Sequence, residues 1–127
     1  MKIIYLIPGP MSRTEAGRAE VERRHQLLQK YAAVGTEVGI TDVDRGPASI
    51  ESMYEEYLAI PNALERAVAL ERAGWDAIIN GCFGDPGLDG AREVLSVPMV
   101  GPCEASLLMA ASLGHRASII TITQSAI

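Results

Sequence analysis

Short apolar runs alternate with segments of helical periodicity along most of this 127-residue chain. The first run, Lys2–Ile7, is closed by the turn residues Pro8, Gly9 and Pro10. Strands that alternate with helices are typical of a parallel sheet covered by helices on both faces. The sequence therefore predicts an α/β fold, with strands over Lys2–Ile7, Glu37–Val43, Asp76–Asn80, Val97–Val100 and Arg116–Thr123.

The segments between these strands carry helix signals. Ser12 and Glu15 form a capping-box pattern ahead of the first helix, which ends near Gly35. A flavodoxin-like strand order is expected, although spacing alone does not fix it. One face of the first helix carries Gly17, Val21, Arg24, Leu28 and Tyr31. The other helices are predicted over Ile60–Ala73, from Pro86 to about Leu95, and over Glu104–Leu113.

Cys82 falls in the turn between the third predicted strand and the helix that follows it. Asp85 and Pro86 are typical of a helix start, with a carboxylate N-cap and proline at the first helical position. Ligands bind at such crevices in open α/β sheets, and the positive end of a helix favours a thiolate. We therefore interpret Cys82 as a cysteine placed for chemistry. The alternative is a small buried hydrophobe, as most free cysteines are.

Charge and cysteine content exclude several classes of function. The net charge is −5 and the Arg and Lys residues are scattered, so there is no basic stripe to hold nucleic acid. The two cysteines, Cys82 and Cys103, cannot form a disulfide framework, which favours a reducing compartment. The apolar start is too short for a signal peptide or a membrane span. We expect a cytoplasmic protein with neither a membrane nor a nucleic acid as its partner.

The end of the chain is unusual for a single α/β domain. The helix over Ala105–Leu113 is apolar nearly all round, which is typical of a helix buried on all sides. The last predicted strand is followed by no covering helix before Ile127. We expect residues 1–114 to form one α/β lobe and residues 115–127 to begin a second lobe that is mostly missing. The alternative is a natural edge strand with a short tail.

Several short motifs indicate a particular protein family, and not only a fold class. They are Gly46-Pro47-Ala48-Ser49-Ile50-Glu51, Cys82-Phe83-Gly84-Asp85-Pro86-Gly87-Leu88-Asp89, Pro98-Met99-Val100-Gly101, Glu104-Ala105 and Leu113-Gly114-His115-Arg116. From Gly46 onward the chain resembles the hydantoin and allantoin racemases of the aspartate/glutamate racemase superfamily. The start departs from that family's pattern, because Ile7-Pro8-Gly9-Pro10 stands where these racemases commonly carry an Asn-Pro-Asn-Thr type segment. A different substrate specificity is thereby allowed.

The resemblance implies two similar α/β lobes, a small-molecule substrate between them, one catalytic cysteine from each lobe, and no cofactor or metal. Carried over by motif, Cys82 is the first-lobe cysteine, while the second-lobe cysteine has no counterpart in this chain. The implied activity is racemisation of a hydantoin-like substrate, hydantoin or allantoin, by cysteine acid/base proton transfer. We expect the 127-residue chain to be inactive by itself, and we expect a homo-oligomer.

Inverting a stereocentre beside a carbonyl creates enolate-like charge, which needs hydrogen-bond donors. Backbone N–H groups around Phe83 and Gly84 are the predicted donors, since glycine allows close approach. Ser49, with Thr121 or Thr123, is predicted to hold the ring amides. The alternatives are that Ser49 fixes its own loop and that the two threonines reflect β propensity alone.

Two residues near Cys82 are interpreted as non-catalytic. Asp85 is read as a helix cap rather than an acid, and it would oppose thiolate formation if it lay close. Cys103 follows the neighbouring strand and would approach Cys82 from the same side. Two bases on one side cannot exchange hydrogen on opposite faces of a carbon, so Cys103 is not expected to be the second base.

Other functions remain open. A decarboxylase or a cis–trans isomerase of the same superfamily would use the same fold. A non-catalytic α/β ligand-binding or assembly domain is the alternative from a different class. A flavodoxin-like nucleotide module is disfavoured, because no Gly-x-Gly-x-x-Gly or Walker pattern follows the first strand.

Overall fold

A computed structural model describes residues 1–120 of the chain. The helices and strands are β1 (Lys2–Ile7), a 3₁₀ turn (Met11–Arg13), α1 (Glu15–Tyr31), β2 (Glu37–Asp42), α2 (Met53–Arg72), β3 (Ala77–Asn80), α3 (Leu88–Val94), β4 (Met99–Val100) and α4 (Pro102–Leu113). The predicted alternation of strands and helices is confirmed over these residues. None of the helices in residues 1–120 is long and apolar enough to cross a membrane.

The four described strands form one parallel sheet in the order β2-β1-β3-β4. This is the flavodoxin-like order predicted from the sequence. The register places Tyr5 of β1 beside Ile40 of β2 and Ile79 of β3, and it pairs Ile78 with Met99 of β4. Since all four strands run in the same direction, their carboxyl ends and the loops that follow meet at one edge of the sheet.

The hydrophobic core lies between one sheet face and the helices α2 and α3. Ile4, Leu6 and Ile78 point to this face and are at most 4% exposed. Small helix residues, Ala63 and Ala91 among them, let the helices approach the strands closely. Burial of these apolar side chains is the main force that holds β1, β3 and β4 beneath α2 and α3.

The first helix begins later than the capping-box pattern suggests. Thr14 is the N-cap, and its Oγ1 accepts a hydrogen bond of 3.0 Å from the Gly17 N–H. The Ser12 N–H instead donates to the Asp42 carboxylate at the end of β2, at 2.6 Å. This bond holds residues 11–13 in a 3₁₀ turn, so the predicted Ser12–Glu15 box is wrong.

The apolar helix α4 ends at Leu113 as predicted but begins at Pro102, two residues before the predicted Glu104, and it is not buried. Leu108 and Leu113 are 68% and 81% exposed, and none of the residues of α4 is fully buried. Within residues 1–120, the expected covering on all sides is therefore not found. Arg116–Ile120 form no strand, which contradicts that part of the predicted fifth strand, and Thr121–Thr123 lie outside the described residues. The predicted division at residue 114 stays a prediction.

Candidate active site

Cys82 lies at the carboxyl edge of the sheet, two residues after the end of β3. Gly81 joins the strand to the turn, and its N–H donates to the Leu6 carbonyl at 2.7 Å. A Cβ on residue 81 would lie 2.6 Å from that same carbonyl oxygen and 2.9 Å from the Ile7 Cα. Only glycine fits this close approach. The backbone contact fixes where the chain leaves the sheet, and hence where Cys82 stands.

The turn that carries Cys82 is closed by hydrogen bonds within its own backbone. The Asp85 N–H donates to the Cys82 carbonyl at 3.1 Å, and the Leu88 N–H donates to the Asp85 carbonyl at 3.2 Å. The helix α3 then starts at Leu88, with Gly87 as its N-cap at φ +70°. The predicted helix start at Asp85 and Pro86 is therefore wrong, because these two residues are part of the turn.

Asn80 fastens this turn from inside the protein. Its side chain is 1% exposed, and its Nδ2 donates to the Pro86 carbonyl at 3.1 Å. Its Oδ1 is buried without a hydrogen-bond partner among the described residues. Asn80 is not among the site residues predicted from the sequence. The sequence signal that could have identified it is its position, as a polar residue at the end of the otherwise apolar strand β3.

Asp85 does cap a helix, but the helix is α4 rather than α3. Its Oδ1 accepts from the Cys103 N–H at 3.2 Å, and its Oδ2 accepts from the Glu104 N–H at 2.8 Å. Asp85 is therefore a helix cap, as predicted, but it caps the next helix along the chain, beyond β4. Cys103 lies in the first turn of α4, so Asp85 links the turn that carries Cys82 to the helix that carries Cys103.

Burial raises the pKa of the Cys82 thiol above its ordinary value. A hydrogen bond from the Gly84 backbone lowers it, Glu56 and Asp85 raise it, and Arg24 lowers it, each by less than burial does. The expected stabilisation of a thiolate by a helix N-terminus is therefore not found. The physical reason is that burial disfavours the charged thiolate by more than the backbone hydrogen bond from Gly84 favours it.

Phe83 and Gly84 lie beside the thiol, as predicted. The Phe83 ring is 48% exposed, and a Cβ on Gly84 would be 3.9 Å from the Cys82 Sγ. Ser49 is exposed and donates to the Glu51 carboxylate at 2.8 Å, so its hydroxyl is engaged within its own loop. Thr121 and Thr123 lie outside the described residues.

A cleft of about 420 Å³ opens next to the cysteine turn. Gly81 and Phe83 line it from the turn, Tyr5 lines it from β1, and Arg24 and Leu28 line it from α1. Arg24 was predicted to share one face of the first helix with Val21 and Leu28, and a cation between such apolar neighbours was the signal for a residue that lines the cleft. No group of three or more His, Cys, Asp or Glu side chains within residues 1–120 is arranged to hold a metal ion.

Comparison with known proteins places this geometry among racemases. Residues 13–127 match the family model described as "Asp/Glu/Hydantoin racemase". A hydantoin racemase of Pseudomonas sp. (strain NS671) is 45% identical over 87 residues, which are 68% of this chain and 35% of the relative. A hydantoin racemase of Paenarthrobacter aurescens is 34% identical over 123 residues, which are 96% of this chain and 50% of the relative.

A solved structure agrees with these matches. The allantoin racemase from Pseudomonas fluorescens superposes with a TM-score of 0.86 at 28% identity. The match covers 99% of this chain and 51% of that protein. The chain thus spans at most about half the length of these relatives.

Proposed function

The chain belongs to the Asp/Glu/hydantoin racemase family, and from this premise we propose that it contributes Cys82 to a cofactor-independent racemase. The substrate is a hydantoin-like ring, either hydantoin or allantoin, because the relatives named above are hydantoin and allantoin racemases. The observation that carries the proposal is a half-buried thiol at the carboxyl edge of a parallel sheet, in a turn that opens onto a cleft.

The chemistry requires a proton to leave one face of the stereocentre and a proton to return to the other face. In one direction, the Cys82 thiolate takes the proton from the carbon and becomes a thiol. In the other direction, the thiol gives its proton to the carbanion and becomes a thiolate. The second acid–base group must stand on the opposite face, and the family resemblance assigns it to a cysteine of a second lobe.

The transition state concentrates negative charge on the carbonyl oxygen beside the stereocentre. The backbone N–H groups at Phe83 and Gly84 are the donors proposed for this charge. Both residues are exposed, and the bond from Gly84 to Cys82 already favours negative charge on the sulfur. Oriented donors of this kind stabilise developing charge with little reorganisation. Ser49, Thr121 and Thr123 remain proposed contacts to the ring amides.

The direct experiment follows hydrogen exchange at the stereocentre in D₂O. The complete gene product is incubated with one enantiomer of 5-benzylhydantoin, and loss of optical rotation and deuterium uptake are recorded together. Cys82→Ser should slow both by about 10² to 10⁴-fold, the range for general acid–base catalysis. Cys103→Ser is the matched control and should stay close to the parent. Unchanged turnover in Cys82→Ser would contradict the proposed mechanism.

A non-catalytic ligand-binding domain is the second candidate function, and the raised pKa of Cys82 favours it. A thiol that stays protonated at neutral pH is a weak nucleophile and a weak base. In that case, 5-benzylhydantoin would protect Cys82 from iodoacetamide while no deuterium entered the ligand. Protection together with deuterium uptake would support the racemase instead.

A further inference from the structure

Asp85 connects two loops of the candidate site that are far apart in the sequence. Its backbone lies in the cysteine turn, where its N–H bonds to the Cys82 carbonyl. Its carboxylate accepts two N–H donors, from Cys103 and Glu104, in the first turn of α4. Among the non-glycine residues of the described chain, Asp85 alone has a positive φ, at +51°. Asn and Asp tolerate that conformation better than most residues.

The loop before α4 is shaped to receive this carboxylate. A Cβ on Gly101 would lie 2.3 Å from the Asp85 Oδ2 and 2.4 Å from its Cγ. Any side chain at residue 101 would displace the carboxylate from the helix. Asp85 and Gly101 therefore form a fitted pair between the loops that follow β3 and β4.

The charged groups that act on Cys82 come from α1, α2 and the cysteine turn itself. Arg24 of α1 favours the thiolate, while Glu56 of α2 and Asp85 of the turn oppose it. On the side of α3 and α4, Arg92 is paired with Glu104 through two hydrogen bonds. The Asp85 carboxylate is stabilised by the two N–H donors at the N-terminus of α4.

We propose that Asp85 is a positioning residue for Cys82, because its carboxylate fastens the cysteine turn to α4 and makes proton transfer at the thiol depend on that helix. This inference rests on the proposed function, because the proposed function assigns the proton-transfer step to Cys82. A shift of α4 away from the turn would loosen Cys82 and leave the Asp85 charge without its compensating N–H groups.

The test measures the reactivity of Cys82 rather than turnover. Parent protein, Asp85→Asn and the matched control Asp89→Asn are alkylated with iodoacetamide from pH 6 to pH 10, and peptide mass spectrometry follows the two cysteines separately. Asp89 is exposed in the first turn of α3, so its substitution removes the same charge without touching α4. Asn keeps the backbone conformation of residue 85 and one acceptor oxygen.

We expect the alkylation midpoint of Cys82 to fall in Asp85→Asn and to stay in place in Asp89→Asn. A fall of half a pH unit corresponds to about threefold faster alkylation at a fixed lower pH. An unchanged midpoint in Asp85→Asn would overturn the proposal, even if the variant unfolded at a lower temperature. Asp85→Gly is the second variant if Asp85→Asn does not fold, because glycine also accepts a positive φ, and the same criterion applies to it.

Failure of the inference and failure of the proposed function are separable. If the complete gene product shows no deuterium uptake, the racemase proposal fails, while the alkylation midpoints still decide the role of Asp85. If uptake is present, Asp85→Asn should lower kcat with KM changed by less than about twofold, since no contact to the substrate is removed. A change confined to KM would instead place Asp85 in substrate binding and overturn its positioning role.

Discussion

The backbone of Gly81 leaves no room for a methyl group. Its N–H bonds to the Leu6 carbonyl, and the space where a Cβ would stand is bounded by two backbone atoms of β1, the Leu6 carbonyl oxygen and the Ile7 Cα, and by the Tyr5 ring. Backbone atoms of a strand cannot move without breaking the sheet. The position of Cys82 is therefore set by a steric constraint one residue before it.

Gly81→Ala is expected to destabilise the protein by about 1–3 kcal/mol, the usual cost of overpacking a rigid site. Gly90→Ala is the matched control, since a Cβ there would meet only Leu64 Cδ1 at an ordinary 3.7 Å. Gly90 lies inside α3, where alanine is favoured over glycine by roughly 0.5–1 kcal/mol. Urea unfolding of both variants checks this prediction. Equal changes of the same sign would show that the contact at Gly81 is not restrictive.

At the residue scale, the sequence predicts that Asp85 caps a helix but does not predict which helix it caps. The pair Asp85-Pro86 predicts a helix cap, and capping is indeed what the carboxylate does. Its partner is α4, however, and the local sequence signal is the same for either helix. Only the packing of two loops at one sheet edge decides between them. The pKa of the Cys82 thiol was misjudged for a related reason, because it depends first on burial in the folded chain and then, to a smaller extent, on Glu56 and Arg24 from distant elements.

At the scale of elements, the connection between β3 and α3 is held by one buried side chain. Asn80 donates to the Pro86 carbonyl, and Pro86 is itself buried. Asn80→Ala removes that donor, and a buried carbonyl left without its partner costs about 1–3 kcal/mol. We expect this loss in urea unfolding, together with faster alkylation of Cys82 at a fixed pH because the turn is loosened.

Asn62→Ala in α2 provides the control for that experiment. Asn62 is half-buried on the helix surface and has no part in the cysteine turn. Its substitution should change stability by less than about 0.5 kcal/mol. If Asn80→Ala altered unfolding but left the alkylation rate at the level of Asn62→Ala, Asn80 would support the core without positioning the turn.

Elements with local signals were predicted more accurately than those shaped by distant side chains. The first strand was predicted with its observed bounds, since its apolar run ends at Pro8. The fourth was predicted from Val97 but begins at Met99. The reason is that the Ser96 and Val97 N–H groups donate to the Glu71 carboxylate of α2, at 2.7 and 3.0 Å. The helix α4 ends at the predicted Leu113 and begins two residues early, at Pro102, whereas its burial depends on what packs against it.

At the scale of the whole molecule, the strand order determines where chemistry is possible. Short crossovers that alternate with parallel strands bring the loops after β1, β2, β3 and β4 to one edge. Gly9, for example, would meet the Pro47 carbonyl at 3.1 Å if it carried a Cβ, so the first two loops touch. The periodicity of the sequence predicted this edge. It did not predict the contacts within the edge, because loop-to-loop packing has no local pattern.

The raised pKa of Cys82 links this edge to the stability of the whole molecule. Below about pH 8.5, the ordinary value for a thiol, both the folded and the unfolded chain keep the proton, and Cys82 adds no pH dependence. Above that pH the unfolded chain loses the proton first. The free energy of unfolding should therefore fall as the pH rises, until the pH has passed the higher pKa of the folded state.

Cys82→Ala should remove this decrease between about pH 8 and pH 10, because alanine has no proton to lose in either state. Urea unfolding at several pH values, with the parent and Cys103→Ala measured beside it, isolates the contribution, since Cys103→Ala still carries the Cys82 thiol. A Cys82→Ala profile parallel to the parent would mean that folding does not raise the pKa of this thiol. The resting thiol would then be more acidic than its burial indicates, and α4 would have less influence on its proton through Asp85.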